Sequence, residues 1–100
     1  MAEKVSLEVE IKNANGMHMR PAMQFVDTAS RFASKVSVSN SEITVDGKSI
    51  MHMAMLAACA GTKLKIKAEG PDAKEAVAAL QDLVEVKMFD EPAWQPKDKE

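Results

Sequence analysis

A single cysteine, Cys59, is the entire thiol content of the 100 residues. That excludes a disulfide framework within the chain, and it excludes a metal site built from several thiolates. Tyrosine is absent and only four residues are aromatic, three Phe and one Trp. A nucleic-acid surface that stacks bases on rings therefore lacks its material. No apolar run approaches a membrane span, the longest lying around residues 54–60. No apolar segment follows the opening Met-Ala-Glu-Lys, so no secretory signal is expected, and reduced cytosol is the expected compartment. Neither charge dominates: 13 basic residues stand against 15 acidic ones, for a net charge of −2. That balance argues against nucleic acid as a partner. The length fits one domain with little room for a deep enzyme pocket. A shallow surface site, or a role as a partner of larger proteins, is the expectation.

What is present is periodic. The 46% hydrophobic content includes 15 alanines and 8 methionines. Residues 4–12 alternate, with Val5, Leu7, Val9 and Ile11 on one side, which predicts a half-buried strand. Ala22, Val26, Ala29 and Ala33, with Phe25 and Phe32, recur at helical spacing and predict a helix over 19–32. Strands follow at 35–40 and around Ile43 and Val45, joined by a turn at Asn40-Ser41-Glu42 that lacks glycine. Ser49 is a natural N-cap for a short apolar helix that Gly61 stops after Ala60. Residues 63–68 alternate Leu64, Ile66 and Ala68 against lysines. Asp72 with Glu75 resembles a capping box for a last helix running to about 86. The order β-α-β-β-α-β-α predicts an α+β open-faced sandwich, one sheet with helices over one face. The domain is expected over 1–89, with a charged, Pro-containing tail over 90–100 on which Trp94 is free or docks.

The densest chemistry is Gly16-Met17-His18-Met19-Arg20-Pro21-Ala22, between the first strand and first helix. Pro21 has no N–H and fits a first helical turn, which places His18 at or beside the N-cap. The N–H groups that follow, with the positive helix end, then make an anion site. Arg20 adds a fork suited to phosphate oxygens, and Gly16 permits a tight loop. Such a histidine can attack a phosphoryl group, hold it and pass it on. Spacing alone equally allows His18 to be a plain helix cap and Arg20 a solvated charge.

This motif resembles the active site of the HPr family, the histidine-containing phosphocarriers of the bacterial phosphoenolpyruvate-dependent sugar phosphotransferase system. Asp46-Gly47-Lys48-Ser49-Ile50-Met51 resembles the family's second signature, and the likeness covers about residues 4–89. The resemblance implies four antiparallel strands and three helices. It implies that His18 accepts a phosphoryl group on Nδ1 from enzyme I and passes it to an enzyme IIA protein or domain. Arg20 would steady the phosphate, with Gly16, Met19 and Pro21 in support. Met17, Ile50 and Met51, with His52 beside them, would form the docking surface. Ser49 resembles the family's regulatory serine, phosphorylated in some bacteria by HPr kinase/phosphorylase, although capping alone also explains it. The implied protein is a monomeric carrier in a relay rather than a free-standing enzyme, with no cofactor and no membrane insertion. A transcription regulator is a further partner the resemblance admits.

Two residues depart from the family pattern. Met19 stands where a small residue is usual, and His52 where glycine is usual. The alternative reading is a regulatory interaction protein that keeps the fold without feeding sugar transport, serving nitrogen-type phosphotransfer or control of a kinase or transcription factor. Clustered methionines with His18 and His52 also raise a soft-metal reading such as Cu(I). Met is more commonly a packing and docking residue, so no metal is expected.

Overall fold

Period-two alternation builds the sheet and period-3.6 faces build its cover in the computed structural model, which describes residues 3–13, 16–56 and 59–90. In chain order the elements are β1 (Glu3–Glu10), α1 (Met19–Ala29), β2 (Lys35–Ser39), β3 (Thr44–Asp46), α2 (Ile50–Met55), β4 (Lys63–Gly70) and α3 (Ala73–Gln81). A π-helical turn, Asp82–Val86, continues α3. The strands are ordered β1-β4-β2-β3, and every pairing is antiparallel. The α+β open-faced sandwich expected from the element order is the fold the chain adopts.

Register follows from which residues tolerate water. Leu7, Ile66, Val38 and Val45 stand opposite one another across all four strands, facing the helices. Each fully buried side chain of this size contributes about 1.5–3 kcal/mol. On the open face Glu8 opposes Lys65, Glu10 opposes Lys63, and Glu69 lies between Lys4 and Lys35. A one-residue slip would drive these charges into the core, so both faces specify one register. On the covered face α3 packs on β1 and β4, α2 adjoins β3, and α1 packs against both α2 and α3. Among the described residues no helix is long and apolar enough to cross a membrane.

Several local expectations change. Helix α1 stops at Ala29 rather than 32, tightening into a last turn in which Phe32 N–H donates to Ala29 O at 3.2 Å. Helix α2 ends at Met55, with Leu56 as its C-cap, well short of Ala60. Beyond it, Gly61 N–H donates to Ile11 O at 2.8 Å and Ile11 N–H to Thr62 O at 2.9 Å, holding the start of β4 to the chain after β1. The glycine missing from the β2–β3 turn is replaced by a side chain: Asn40 Oδ1 accepts the N–H groups of Glu42 and Ile43, each at 2.8 Å.

Asp72 sits at the N-cap of α3 but does not cap it with its side chain. Its carboxylate instead accepts the Ser34 hydroxyl at 2.5 Å and the N–H groups of Ala33 and Ser34, each at 2.9 Å. These bonds, the Ser34 hydroxyl foremost and the Ala33 N–H next, hold its pKa below the ordinary 3.8. Gly70, two residues before it, lies against Ser34, where an added Cβ would sit 2.6 Å from Ser34 Cα. The start of α3 is thereby fastened to the chain entering β2.

At the other end, Met88 and Phe89 both take left-handed backbone conformations, and the Phe89 ring is fully buried. Gln24 Nε2 of α1 donates to Phe89 O at 3.3 Å. Of the tail expected over 90–100, Asp90 ends the 3-10 turn Met88–Asp90, and the rest, Trp94 included, lies outside the described residues.

Candidate functional site

A buried asparagine shapes the loop that presents the histidine. Asn13 is fully buried, and its Nδ2 donates to Gly16 O at 2.9 Å. Gly16 N–H donates back to Asn13 O at 3.2 Å, and His18 N–H donates to Gly16 O at 3.1 Å. Gly16 has φ 71, a left-handed conformation that glycine takes without steric cost. Asn13 reads in sequence only as a strand breaker. An Asn three residues before a Gly signals a turn, but nothing local shows that its side chain turns inward.

His18 is the N-cap residue of α1, with extended backbone at φ −98 and ψ −166, and it is exposed. Its carbonyl accepts Ala22 N–H at 2.9 Å, which begins the helix ladder. The N–H groups of Met19 and Arg20 precede that ladder, and Pro21 contributes none. The first turn of α1 holds no acidic side chain. The first turn itself therefore adds no negative charge to the positive helix end, and Arg20 of that turn is basic and exposed. An anion carried by the His18 ring would meet donors and positive charge together. Among the described residues no group of three or more His, Cys, Asp or Glu is placed to hold a metal ion.

The second motif forms a turn locked onto β2. Gly47 N–H donates to Val36 O at 2.8 Å, Asp46 Oδ1 accepts Lys48 N–H at 2.9 Å, and Ser49 N–H donates to Asp46 O at 3.1 Å. Lys48 Nζ reaches Phe32 O at 2.8 Å, tying this turn to the chain after α1. Ser49 caps α2 as expected: its Oγ accepts His52 N–H at 3.3 Å. His52 is exposed on α2.

The expected docking residues divide. Ile50 and Met51 are exposed, as are Met55 on α2 and Met19 and Met23 on α1. Met17 is not on that surface. It is buried in the core cluster beneath the loop, because the turn that lifts His18 outward points its neighbour inward. Met17 therefore supports the loop from below. Met19 and Met23 add exposed apolar surface to α1, the helix that α2 packs against. A cavity of about 550 Å³ on the open sheet face is lined by Lys35, Ser37, Asp46 and Lys67 among others and includes neither His18 nor Arg20. His18 and Arg20 lie exposed at a helix start rather than in a pocket.

The chain is similar to known proteins over most of its length. The family model for the PTS HPr component phosphorylation site matches residues 5–86. The phosphocarrier protein HPr of Pseudomonas aeruginosa is 46% identical over 87 residues, covering 86% of this chain and 96% of that protein. The HPr of Neisseria meningitidis serogroup A is 45% identical over 76 residues, covering 76% and 85%. The crystal structure of HPr-C-His from Thermoanaerobacter tengcongensis matches with a TM-score of 0.82 at 44% identity, covering 87% of this chain and 97% of that one. With both motifs inside the matched span and the same fold around them, the chain belongs to the HPr family, phosphocarrier components of the phosphotransferase system.

Proposed function

We propose that the chain accepts a phosphoryl group on His18 Nδ1 from phosphorylated enzyme I and passes it to an enzyme IIA protein or domain in phosphoenolpyruvate-dependent sugar uptake. The observation that carries this reading is His18 exposed at the N-cap of α1 with Arg20 in the same first turn. In the forward step an imidazole nitrogen attacks phosphorus, an N–P bond forms, and the bond from phosphorus to the donor breaks. The phosphoryl group brings close to two negative charges, which the helix end and Arg20 offset. An exposed position lets the group leave again as readily as it arrived. The larger partners supply the remainder of each site, and the exposed residues of α1 and α2 receive them in turn. The reaction takes place in the cytoplasm, and the carrier acts as a monomer.

Ser49 is a second acceptor in this reading, modified by a serine kinase rather than by enzyme I. A phosphate on its Oγ would place charge beside Ile50 and Met51 and oppose docking.

Incubation with phosphoenolpyruvate and enzyme I, followed by intact mass, tests the proposal. The expected product carries one acid-labile phosphoryl group that His18→Ala abolishes. An unmodified wild-type chain would end the carrier reading. Transfer onward to a IIA protein separates sugar transport from the purely regulatory alternative.

A further inference from the structure

Methionine makes up most of the large apolar surface that the two site helices expose. Met19 is 57% exposed and Met23 51%, four residues apart on α1; Met51 is 79% exposed and Met55 64%, four apart on α2. That spacing puts each pair on one helix face. The two helices pack against each other, and their N-caps are His18 and Ser49. The inward methionines of the same region are sealed: Met17 is 3% exposed and Met53 0%. Leucine or isoleucine would also supply apolar docking surface. Unlike those side chains, a thioether reacts with peroxide.

We infer that Met19, Met23, Met51 and Met55 form an oxidation-sensitive site through which a peroxide controls phosphoryl transfer at His18. This inference rests on the phosphocarrier reading. In the reaction one peroxide oxygen moves to the methionine sulfur. The O–O bond breaks and an S–O bond forms; the sulfur is oxidised by two electrons and hydrogen peroxide is reduced to water. The product is a polar sulfoxide on a surface that must lose water to dock. The His18 ring is not consumed, so the carrier is slowed rather than destroyed. Methionine sulfoxide reductases, drawing on a thiol reductant, reverse the change. The buried Met17 and Met53 keep the core intact while the surface responds.

The test treats the full chain, carrying Cys59→Ser to remove the competing thiol, with graded hydrogen peroxide. Peptide mass mapping locates the added oxygens, and the rate of phosphoryl transfer from phosphorylated enzyme I is measured on the same samples. Met19, Met23, Met51 and Met55 should each gain an oxygen well before Met17 and Met53. Transfer should fall roughly tenfold, the size expected when even one buried thioether contact is lost. Sulfoxide reductase should restore it. A chain carrying leucine substitutions at all four positions should keep its own untreated rate after peroxide, whatever that rate is. Equal oxidation of Met17 and Met53, unchanged transfer by the fully oxidised surface, or failure of the reductase to restore the rate would each overturn the inference. An untreated chain that accepts no phosphoryl group would overturn the carrier reading first, and the control of transfer with it.

Discussion

Gly47→Ala should destabilise the protein even though glycine-to-alanine changes often do the reverse. The Gly47 backbone lies outside the left-handed range, so alanine meets no conformational barrier there. Restricting the unfolded chain would then stabilise by about 0.4–1 kcal/mol. Space decides against it. An added Cβ would stand 2.6 Å from Val36 Cγ1, and 3.2 Å from both Val36 Cβ and Val36 O. Ordinary carbon contacts are about 3.5–4.0 Å, so one partner must move by about 1 Å. Val36 is poorly placed to do so. It is β-branched, buried, paired with Ala68 in β4, and its carbonyl holds Gly47 N–H at 2.8 Å. Overpacking of this kind costs about 1–3 kcal/mol, so the net loss should be about 1–2 kcal/mol. In a domain of this size each kcal/mol lowers Tm by roughly 4–8 °C. Urea unfolding followed by circular dichroism measures it. Val36→Ala removes the colliding methyl, so a double-mutant cycle should show the pair costing less than the sum of the singles by about 1 kcal/mol. A Gly47→Ala protein as stable as wild type, or strict additivity in the cycle, would refute the steric argument.

Asp72→Asn should alter the acid limb of the stability curve. The Asp72 carboxylate titrates below its ordinary 3.8, so its contribution is complete above about pH 4 and is lost as pH falls through the lower folded value. Urea midpoints at pH 7, 4 and 3 should fall more steeply for wild type than for the variant, and parallel curves would contradict the clamp. Phe89→Ala empties a fully buried position and should cost about 3–5 kcal/mol, read by the same unfolding assay; a loss under 1 kcal/mol would show that the last turn is not part of the core. Arg20→Ala should leave stability within about 0.5 kcal/mol, since Arg20 is exposed. The same change should slow phosphorylation of His18 at least tenfold, the loss of about one charge-assisted hydrogen bond in the transition state. An unchanged rate would remove Arg20 from the site.

The strands were legible because their periodicity is set by water on one face. Lys63, Lys65 and Lys67 can only point outward, and that fixes Leu64 and Ile66 inward. His18 as N-cap was legible through Pro21, whose missing N–H suits only the helix start. Other features depended on distant partners. Asp72 carries the local pattern of a cap, yet its acceptor oxygens are taken by Ala33 and Ser34, 39 and 38 residues away. The end of α2 lies in an apolar, alanine-rich run with no breaker before Gly61, and the bonds that hold the chain beyond it are made with Ile11. Met17 and Met19 flank one histidine and have opposite fates. Loop residues carry no periodicity from which that difference could be read.

The most direct measurement follows the phosphoryl group through the chain by phosphorus NMR. With phosphoenolpyruvate and enzyme I, a phosphoramidate resonance should appear, coupled to the ring protons of His18 as an Nδ1 adduct. It should vanish when an enzyme IIA protein is added and never form in His18→Ala. A resonance that persists in His18→Ala, or one that forms on His18 and fails to leave in the presence of IIA, would contradict the account.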